Sequence, residues 1–203
     1  MTPGKRLFDI AAALFLGLIL APVIVAVAVT IRLRDGAPVL YLSERMRDTE
    51  TPFQLWKFRT MRVVAEDSGV SGGDKTARIT STGRWLRRHR LDELPQLWNI
   101  LRGDISFVGP RPPLRRYTEM FPELYGEVLK ARPGVTGLAT LAFHRREESL
   151  LADCETPEET EAVYIRRCVP QKARLDLIYR DRRSLCYDLR LMVATVFRRV
   201  GLH

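Results

Sequence analysis

The hydrophobic pattern of this chain falls into two unlike parts. From Ile10 to Ile31 no charged residue occurs, and the run is bounded by Lys5-Arg6 before it and by Arg32 and Arg34 after it. Continuous apolar sequence of that length matches a helix able to cross a hydrocarbon core. It is too long, and too closely followed by charge, for a cleaved signal peptide, so residues 1–34 are expected to be embedded in a membrane. Pro22 lies near the midpoint, where it removes one backbone hydrogen bond and crowds the carbonyl of Leu18. Positive residues flank both ends, whereas a spanning helix concentrates them on one side. A re-entrant helix broken at Ala21-Pro22, with both basic ends on the same face, and a plain kinked transmembrane helix both fit these residues.

From residue 35 onward the apolar positions are spaced as in a folded domain. Asp35-Gly36 is a turn, and Val39–Arg45 and Phe53–Met61 read as short strands joined by the polar loop Asp48–Pro52, a β-hairpin. Lys57 and Arg59 alternate with Trp56, Phe58 and Thr60 and so fall on one face. The stretch Ala65–Thr76, with Gly69, Gly72 and Gly73, lacks apolar periodicity and reads as a mobile loop; it has neither the strand nor the helix that a phosphate-cradling glycine motif needs. Leu94, Leu97, Trp98 and Leu101 follow a helical period, and Pro95, with no N–H to donate, confines the start of that helix to between Asp92 and Pro95. A short extended piece, Asp104–Val108, then leads into the stiff turn Gly109-Pro110-Arg111-Pro112.

Helices are expected through Leu114–Met120 and Pro122–Lys130, the second stopped by Arg132-Pro133-Gly134. Val135-Thr136-Gly137 with Leu138–Phe143 reads as a turn entering a buried extended segment, and Arg145–Thr160 as an exposed polar excursion. Tyr164–Tyr179 and Tyr187–Val200 read as helices, the last either packed on the core or lying in a membrane interface. The expected fold is α+β and mostly helical: a membrane anchor over residues 1–34 and one domain with a short hairpin over 35–203.

Composition refines this picture in two ways. The 203 residues carry a net charge of +9, and of 33 basic residues only five are lysine. Arginine in that excess suits bidentate recognition of phosphate or carboxylate groups, so nucleic acid, anionic lipid and a nucleotide substrate all remain candidate partners. Cys154, Cys168 and Cys186 are odd in number and widely separated, and His89, His144 and His203 form no cluster. Reduced thiols in a cytosolic compartment, without a zinc site, are the expectation.

The candidate chemistry lies between Arg84 and Pro112. Asp92 and Glu93 follow Arg84, Arg87, Arg88 and Arg90 and precede the helix that Pro95 marks. Helix capping alone would account for acidic residues there, but a helix start also favours bound phosphate, and Arg111 sits on a rigid turn downstream. Adjacent residues project in different directions, so one carboxylate could attack while the other holds a metal.

These residues together resemble a known family, the bacterial sugar transferases, in their small monotopic phosphoglycosyl transferase form. The matching pieces are Lys5-Arg6-Leu7-Phe8-Asp9, Ala21-Pro22, Glu44-Arg45, Lys57-Phe58-Arg59-Thr60-Met61, Arg78-Ile79-Thr80, Gly83-Arg84, Leu91-Asp92-Glu93-Leu94-Pro95-Gln96-Leu97, Gly103-Asp104, Gly109-Pro110-Arg111-Pro112 and Arg132-Pro133-Gly134-Val135-Thr136-Gly137. Singly they are weak; in this order, across most of the chain, they are specific. The resemblance implies a re-entrant helix that anchors a catalytic domain on the cytoplasmic face of the bacterial inner membrane. It implies transfer of a sugar-1-phosphate from a UDP-sugar to undecaprenyl phosphate, with release of UMP, as the first membrane step of exopolysaccharide, O-antigen or glycoprotein glycan assembly.

By the same resemblance Asp92 is the nucleophile that forms an aspartyl-phosphosugar intermediate, and Glu93 holds Mg²⁺ on the diphosphate. Lys57, Arg59, Arg87 and Arg111 are the candidates for phosphate contacts, with Asp104, Arg132 and Asp176 in supporting positions. Membrane lipid is an expected partner, nucleic acid is not, and a homo-oligomer is compatible. Three departures stand out: Ala21 where Ser is more usual before Pro22, Ser43 where Gln is common, and Leu138–Arg145 where the family often continues with Gln and an Asn-Gly-Arg turn. The competing reading is a membrane-anchored basic adaptor that binds nucleic acid or anionic lipid without catalysis, with no need of Asp92 or Glu93.

Overall fold

The computed structural model describes residues 1–63 and 78–197. The expected mobile loop at Ala65–Thr76, and the end of the last helix beyond Phe197, lie outside the described residues. Helix α1 (Pro3–Arg34) is 32 residues long, about 48 Å at ~1.5 Å per residue, with Thr2 accepting from the Lys5 amide at its start. It continues through Pro22 rather than stopping there. Among the described residues it is the one helix long and apolar enough to cross a membrane.

One stripe of α1 faces the rest of the protein and the remainder is bare. Asp9, Ala13, Val27 and Ile31 are buried at helical spacing, while Leu18 and Leu33 are 78% and 79% exposed. Ala13 packs into the central core with Phe53, Leu55, Ile100, Ile105 and Phe107. Val27 and Ile31, four turns further on, pack with Phe58 and Leu86. Both ends of α1 therefore rest on the same domain.

Polar contacts fix each end. Near the start, Arg6 donates to the carbonyls of Ile100 (2.5 Å) and Leu101 (2.7 Å). Lys5 pairs with Asp188 and donates to the Val108 carbonyl at 3.2 Å; the Tyr179 hydroxyl lies 2.7 Å from Asp188 Oδ1 and 3.0 Å from the same carbonyl, with one proton to donate between them. At the far end Arg59 Nη2 donates to the carbonyls of Asp35 (2.6 Å) and Gly36 (2.8 Å), and Thr80 Oγ1 donates to Asp35 Oδ2. A cation on carbonyls left over at a helix C-terminus is stabilised by both charge and hydrogen bonding.

The domain is built on two small sheets. Strands β1 (Leu40–Met46) and β2 (Pro52–Phe58) form the expected antiparallel hairpin, with Tyr41 opposite Lys57, Ser43 opposite Leu55 and Arg45 opposite Phe53. The loop between them is tied by Asp48 Oδ1, which accepts from the amides of Glu50 and Thr51. Helix α2 (Ser81–His89) follows, then a single 3₁₀ turn at Leu91–Glu93 and helix α3 (Gln96–Arg102). The acidic pair thus sits in a tight turn ahead of the α-helix rather than in its first turn. Strand β3 (Ser106–Val108) runs parallel to β4 (Gly134–Thr136), and between them come α4 (Arg115–Met120) and α5 (Pro122–Val128).

Two stretches differ from expectation. Leu138–Phe143 is not extended: it opens α6 (Leu138–Leu151), with Ala139 and Phe143 buried. A short apolar run rich in Leu and Ala does not distinguish a buried strand from a buried helix, and here the helix prevails. The residues read as a polar excursion continue that helix and form α7 (Pro157–Val163), capped by Thr156. Charges here are used: Glu147 pairs with Lys172 and, one residue beyond the expected excursion, Glu161 pairs with Arg116, both at 3.0 Å. A π-turn at Tyr164–Cys168, α8 (Val169–Arg182) and α9 (Leu185–Phe197) complete the fold.

The Lys5 pair ties α1 to β3, α8 and α9 at a buried point, since Asp188 is 1% exposed. Removing one partner leaves a buried charge unpaired, so Lys5→Met is expected to cost about 3–5 kcal/mol. Chemical denaturation in detergent measures it, and Lys5→Met with Asp188→Leu is expected to recover a good part of the loss.

Candidate active site

The Leu91–Glu93 turn is held from three directions. Leu91 and Leu94 on either side of the acidic pair pack against the cluster of Val27 and Ile31 from α1. Beneath it, the fully buried Asn99 accepts from the Trp56 amide at 2.9 Å and donates to the Gln54 carbonyl at 2.7 Å, locking α3 to β2. Arg90 enters the turn in the left-handed region, φ 53°, a conformation that costs a non-glycine residue free energy and recurs at functional sites.

Asp92 is 9% exposed. Burial, then the adjacent Glu93 charge, push its carboxyl above the ordinary aspartate range, while Lys57, Arg87 and Arg90 pull the other way. Glu93 has the opposite balance: burial disfavours its charge, but Lys57, Arg90 and Arg111 outweigh it and hold the carboxyl below its usual value. Lys57 Nζ reaches Oε1 at 3.3 Å and Arg90 Nη2 reaches Oε2 at 2.8 Å. Two adjacent carboxylates with opposite shifts can take different roles.

The cations come from separate elements. Lys57 projects from β2. Arg87 stands on α2 with its Nε donating to Thr60 Oγ1 at 2.9 Å, and α2 approaches that closely because Gly83 lies against Thr60, where a Cβ would be 2.0 Å from the carbonyl oxygen. Arg111 is carried by the turn after β3, which is cross-braced to β4. Gly109 N donates to the Thr136 carbonyl (2.9 Å) and Gly134 N to the Pro110 carbonyl (2.8 Å), and a Cβ on Gly109 would meet the Arg132 carbonyl oxygen at 2.0 Å.

A narrow cleft joins these parts, with Arg45, Lys57, Glu93, Gln96 and Arg111 among its lining residues. Of the expected site residues it therefore unites Lys57, Glu93 and Arg111, with Asp92 and Arg87 adjoining through their charges. Arg59 lies elsewhere, on the carbonyls that end α1. Asp104 accepts from Asn99 Nδ2 at 3.0 Å and lies 3.5 Å from Arg102, a bracing position beneath the turn. Arg132 shares a separate shallow depression with Met1, Arg47, Asp48 and Lys130.

Asp176 is buried on α8 with Oδ1 unpartnered among the described residues, and burial pushes its carboxyl up to about 7 against the pull of Lys172. Arg45, Arg90 and Gln96 are additions to the expected set. Arg45 follows only from the folded hairpin's register, which puts Tyr41, Ser43 and Arg45 on the face of Lys57, whereas the three-residue spacing to Glu93 would have revealed Arg90.

Comparison with known proteins is consistent across this architecture. The family described as bacterial sugar transferase matches residues 2–201. The chain is 33% identical over 198 residues to the UDP-glucose:undecaprenyl-phosphate glucose-1-phosphate transferase of Escherichia coli, covering 96% of this chain and 39% of that protein. It is 36% identical over 197 residues to the protein of the same name from Caulobacter vibrioides, covering 95% and 68%. To the UDP-N-acetylgalactosamine-undecaprenyl-phosphate N-acetylgalactosaminephosphotransferase of Aeromonas hydrophila it is 36% identical over 141 residues, covering 66% and 33%. The chain thus spans about two fifths of the length of its Escherichia coli relative.

The opposed charges on Asp92 can be separated by titration. Glu93→Gln removes the like charge and is expected to lower the Asp92 pKa; Arg87→Met removes a cation and is expected to raise it. Carboxyl-resolved NMR titration of ¹³C-labelled aspartate measures both, and shifts of the same sign in the two variants would contradict this electrostatic balance.

Proposed function

Given that the chain belongs to the bacterial sugar transferase family, we propose that it transfers a sugar-1-phosphate from a UDP-sugar to undecaprenyl phosphate and releases UMP. The observation that carries this reading is the Asp92-Glu93 turn under the charges of Lys57, Arg87 and Arg90, with Glu93 lining a cleft that also holds Arg111. The names of the relatives supply the substrate class. Asp92 is the nucleophile: its carboxylate oxygen attacks the β-phosphorus of the donor, the bond to the bridging oxygen breaks, and UMP leaves with the electron pair. A phosphate oxygen of the acceptor then attacks the same phosphorus and Asp92 departs as carboxylate. A carboxylate attacks an anionic diphosphate only where charge is neutralised, and in this reading Lys57, Arg87 and Arg111 supply that neutralisation. No proton needs to move in either step.

Mg²⁺ fits the donor set. A hard cation of this size takes one or two carboxylates and completes its shell with phosphate oxygens and water. Among the described residues no third acidic, histidine or cysteine side chain joins the pair, so the rest of the ion's shell would come from the diphosphate and water. Glu93, with Asp92 beside it, would hold the ion, which when bound neutralises diphosphate charge. Lys57 and Arg90 fix the Glu93 carboxylate in orientation.

The same reading gives α1 its role. A helix whose two ends are both bonded to one domain cannot deliver those ends to opposite faces of a bilayer while the domain stays on one side. We propose that α1 is monotopic and re-entrant, with its bare apolar faces in the cytoplasmic leaflet of the inner membrane and the domain on the cytoplasmic face. The acceptor phosphate lies at headgroup depth, so the cleft and its lipid substrate share one plane, and docking becomes a matter of orientation.

Asp92→Asn is expected to abolish UMP release from UDP-glucose or UDP-N-acetylgalactosamine in the presence of undecaprenyl phosphate, with membrane association unchanged; turnover near the wild-type rate would remove Asp92 from its role. A cysteine at Thr2, in a background without Cys154, Cys168 and Cys186, is expected to react with impermeant maleimide in inside-out vesicles and to be protected in intact spheroplasts. The reverse pattern would contradict the re-entrant topology.

A further inference from the structure

Arg132 stands apart from the acidic turn that the resemblance expects it to support. It lines a different depression, of about 140 Å³, with Met1, Arg47, Asp48, Leu129 and Lys130, and this lining shares no residue with the cleft beside Glu93. Its cations come from two places: Arg47 follows β1, and Lys130 and Arg132 lie between α5 and β4. Asp48, the acid of the lining, is already occupied. Its Oδ1 accepts from the amides of Glu50 and Thr51, and its Oδ2 lies 3.4 Å from Arg47 Nε. Lys130 pairs with Glu127 at the surface, where both side chains are at least half exposed and such a pair contributes little. Arg132 is half-buried and makes no hydrogen bond or ion pair among the described residues. Burial, then the charge of Arg47, lower its pKa, with Asp48 opposing. A guanidinium held among like charges has an anion as its complement, and a phosphate oxygen pair matches its fork.

A phosphate reaches such a place either free in solution or on a lipid, and the position of the depression favours the lipid. Met1 in its lining is 41% exposed, and α1 starts just after it at Pro3. Leu7, the first long apolar side chain of that helix, is 70% exposed and stands about 6 Å further along the axis at ~1.5 Å per residue. Whatever the tilt of α1, Pro3 and Leu7 differ in depth by no more than that. The headgroup layer of a bilayer is itself about 5–8 Å deep on each face. With Leu7 among the acyl chains, the depression therefore lies at the height of the lipid phosphates. Three cations there also select among headgroups. A zwitterionic headgroup brings an ammonium that they repel, whereas an anionic one does not.

We propose that Arg132, with Arg47 and Lys130, binds the phosphodiester of an anionic phospholipid in a headgroup seat at the root of α1, separate from the acidic turn. The seat rests on the reading of α1 as a membrane-embedded monotopic helix. Arg132 supplies the fork that grips two phosphate oxygens, and Arg47 and Lys130 supply further donors. Asp48 opposes the anion, so neutralising it strengthens the seat. The bound lipid holds the start of α1 at headgroup height, on the side of the domain away from the acidic cleft's own residues.

The test uses the full chain in detergent micelles doped with phosphatidylglycerol or phosphatidylcholine. Native mass spectrometry counts the lipid retained, and the melting temperature in the same micelles reads the stabilisation that a bound lipid confers. Wild type is expected to retain phosphatidylglycerol in preference to phosphatidylcholine and to melt higher with it. Arg132→Gln is expected to weaken phosphatidylglycerol binding by about 10- to 150-fold, the loss of a charge-assisted bidentate contact, with Arg132→Lys intermediate. In phosphatidylcholine the melting temperature of Arg132→Gln is expected to equal that of wild type. Asp48→Asn, which keeps the oxygen that ties the loop, is expected to bind phosphatidylglycerol more tightly. Equal retention of the two lipids by wild type, unchanged retention in Arg132→Gln, weaker retention in Asp48→Asn, or a fall in melting temperature in phosphatidylcholine that accounts for the loss overturns the seat. Inorganic phosphate that stabilises wild type as well as phosphatidylglycerol does would make this a soluble-anion site and overturn the lipid assignment. The reversed labelling pattern at Thr2 would sink the monotopic topology by itself, whereas the micelle measurements judge the seat without reference to topology.

Discussion

Two carboxylates on consecutive residues repel each other, and burying them makes that repulsion stronger. The Asp92-Glu93 turn exists because cations from separate elements close over it: Lys57 from the hairpin, Arg87 from α2, Arg90 from the turn itself, with Arg111 reaching in from the brace between β3 and β4. The balance is uneven by design of position. Glu93 receives two direct contacts and stays charged; Asp92 receives charge at longer range and is left the more basic of the two. A carboxylate that is more basic than usual and surrounded by cations fits the proposed attack on phosphorus, whereas one gripped on both oxygens fits the proposed metal or a fixed field.

That arrangement is mechanically continuous with the long apolar helix α1. Leu91 and Leu94 seat the turn on Val27 and Ile31, Arg6 closes the far end of α3, and Arg59 ties off the C-terminus of α1. The acidic turn is thus clamped to both halves of α1. The positions of α1 and of the cleft are therefore set together, and under the proposed re-entrant topology this would fix the height of the cleft above the leaflet.

Much of this was legible in the sequence, for identifiable reasons. Pro95 confines the helix start, and with it the acidic pair, because a missing N–H is tolerated at few positions. The uncharged run from Ile10 to Ile31 announces the long helix unaided. The hairpin was legible as well, but its register depends on the Asp48 side chain closing the loop onto Glu50 and Thr51, so Arg45 could not be placed on the face of Lys57. Arg59 continues the alternation of β2 on paper, yet the strand ends at Phe58 and the guanidinium turns to the carbonyls of Asp35 and Gly36. Leu138–Phe143 was ambiguous in principle: its length and apolar content suit a strand or a buried helix, and only its packing against the last helices decides between them.

The central claim is that the Asp92 side chain carries a glycosyl phosphate between two substrates. Incubation with UDP-sugar alone, rapid acid quenching and peptide mapping by mass spectrometry tests it most directly. The account predicts a sugar-phosphate adduct on the peptide containing Asp92, at the aspartyl oxygen, that disappears when undecaprenyl phosphate is added. Product accumulating with no such adduct at any time, or an adduct confined to another residue, would contradict it.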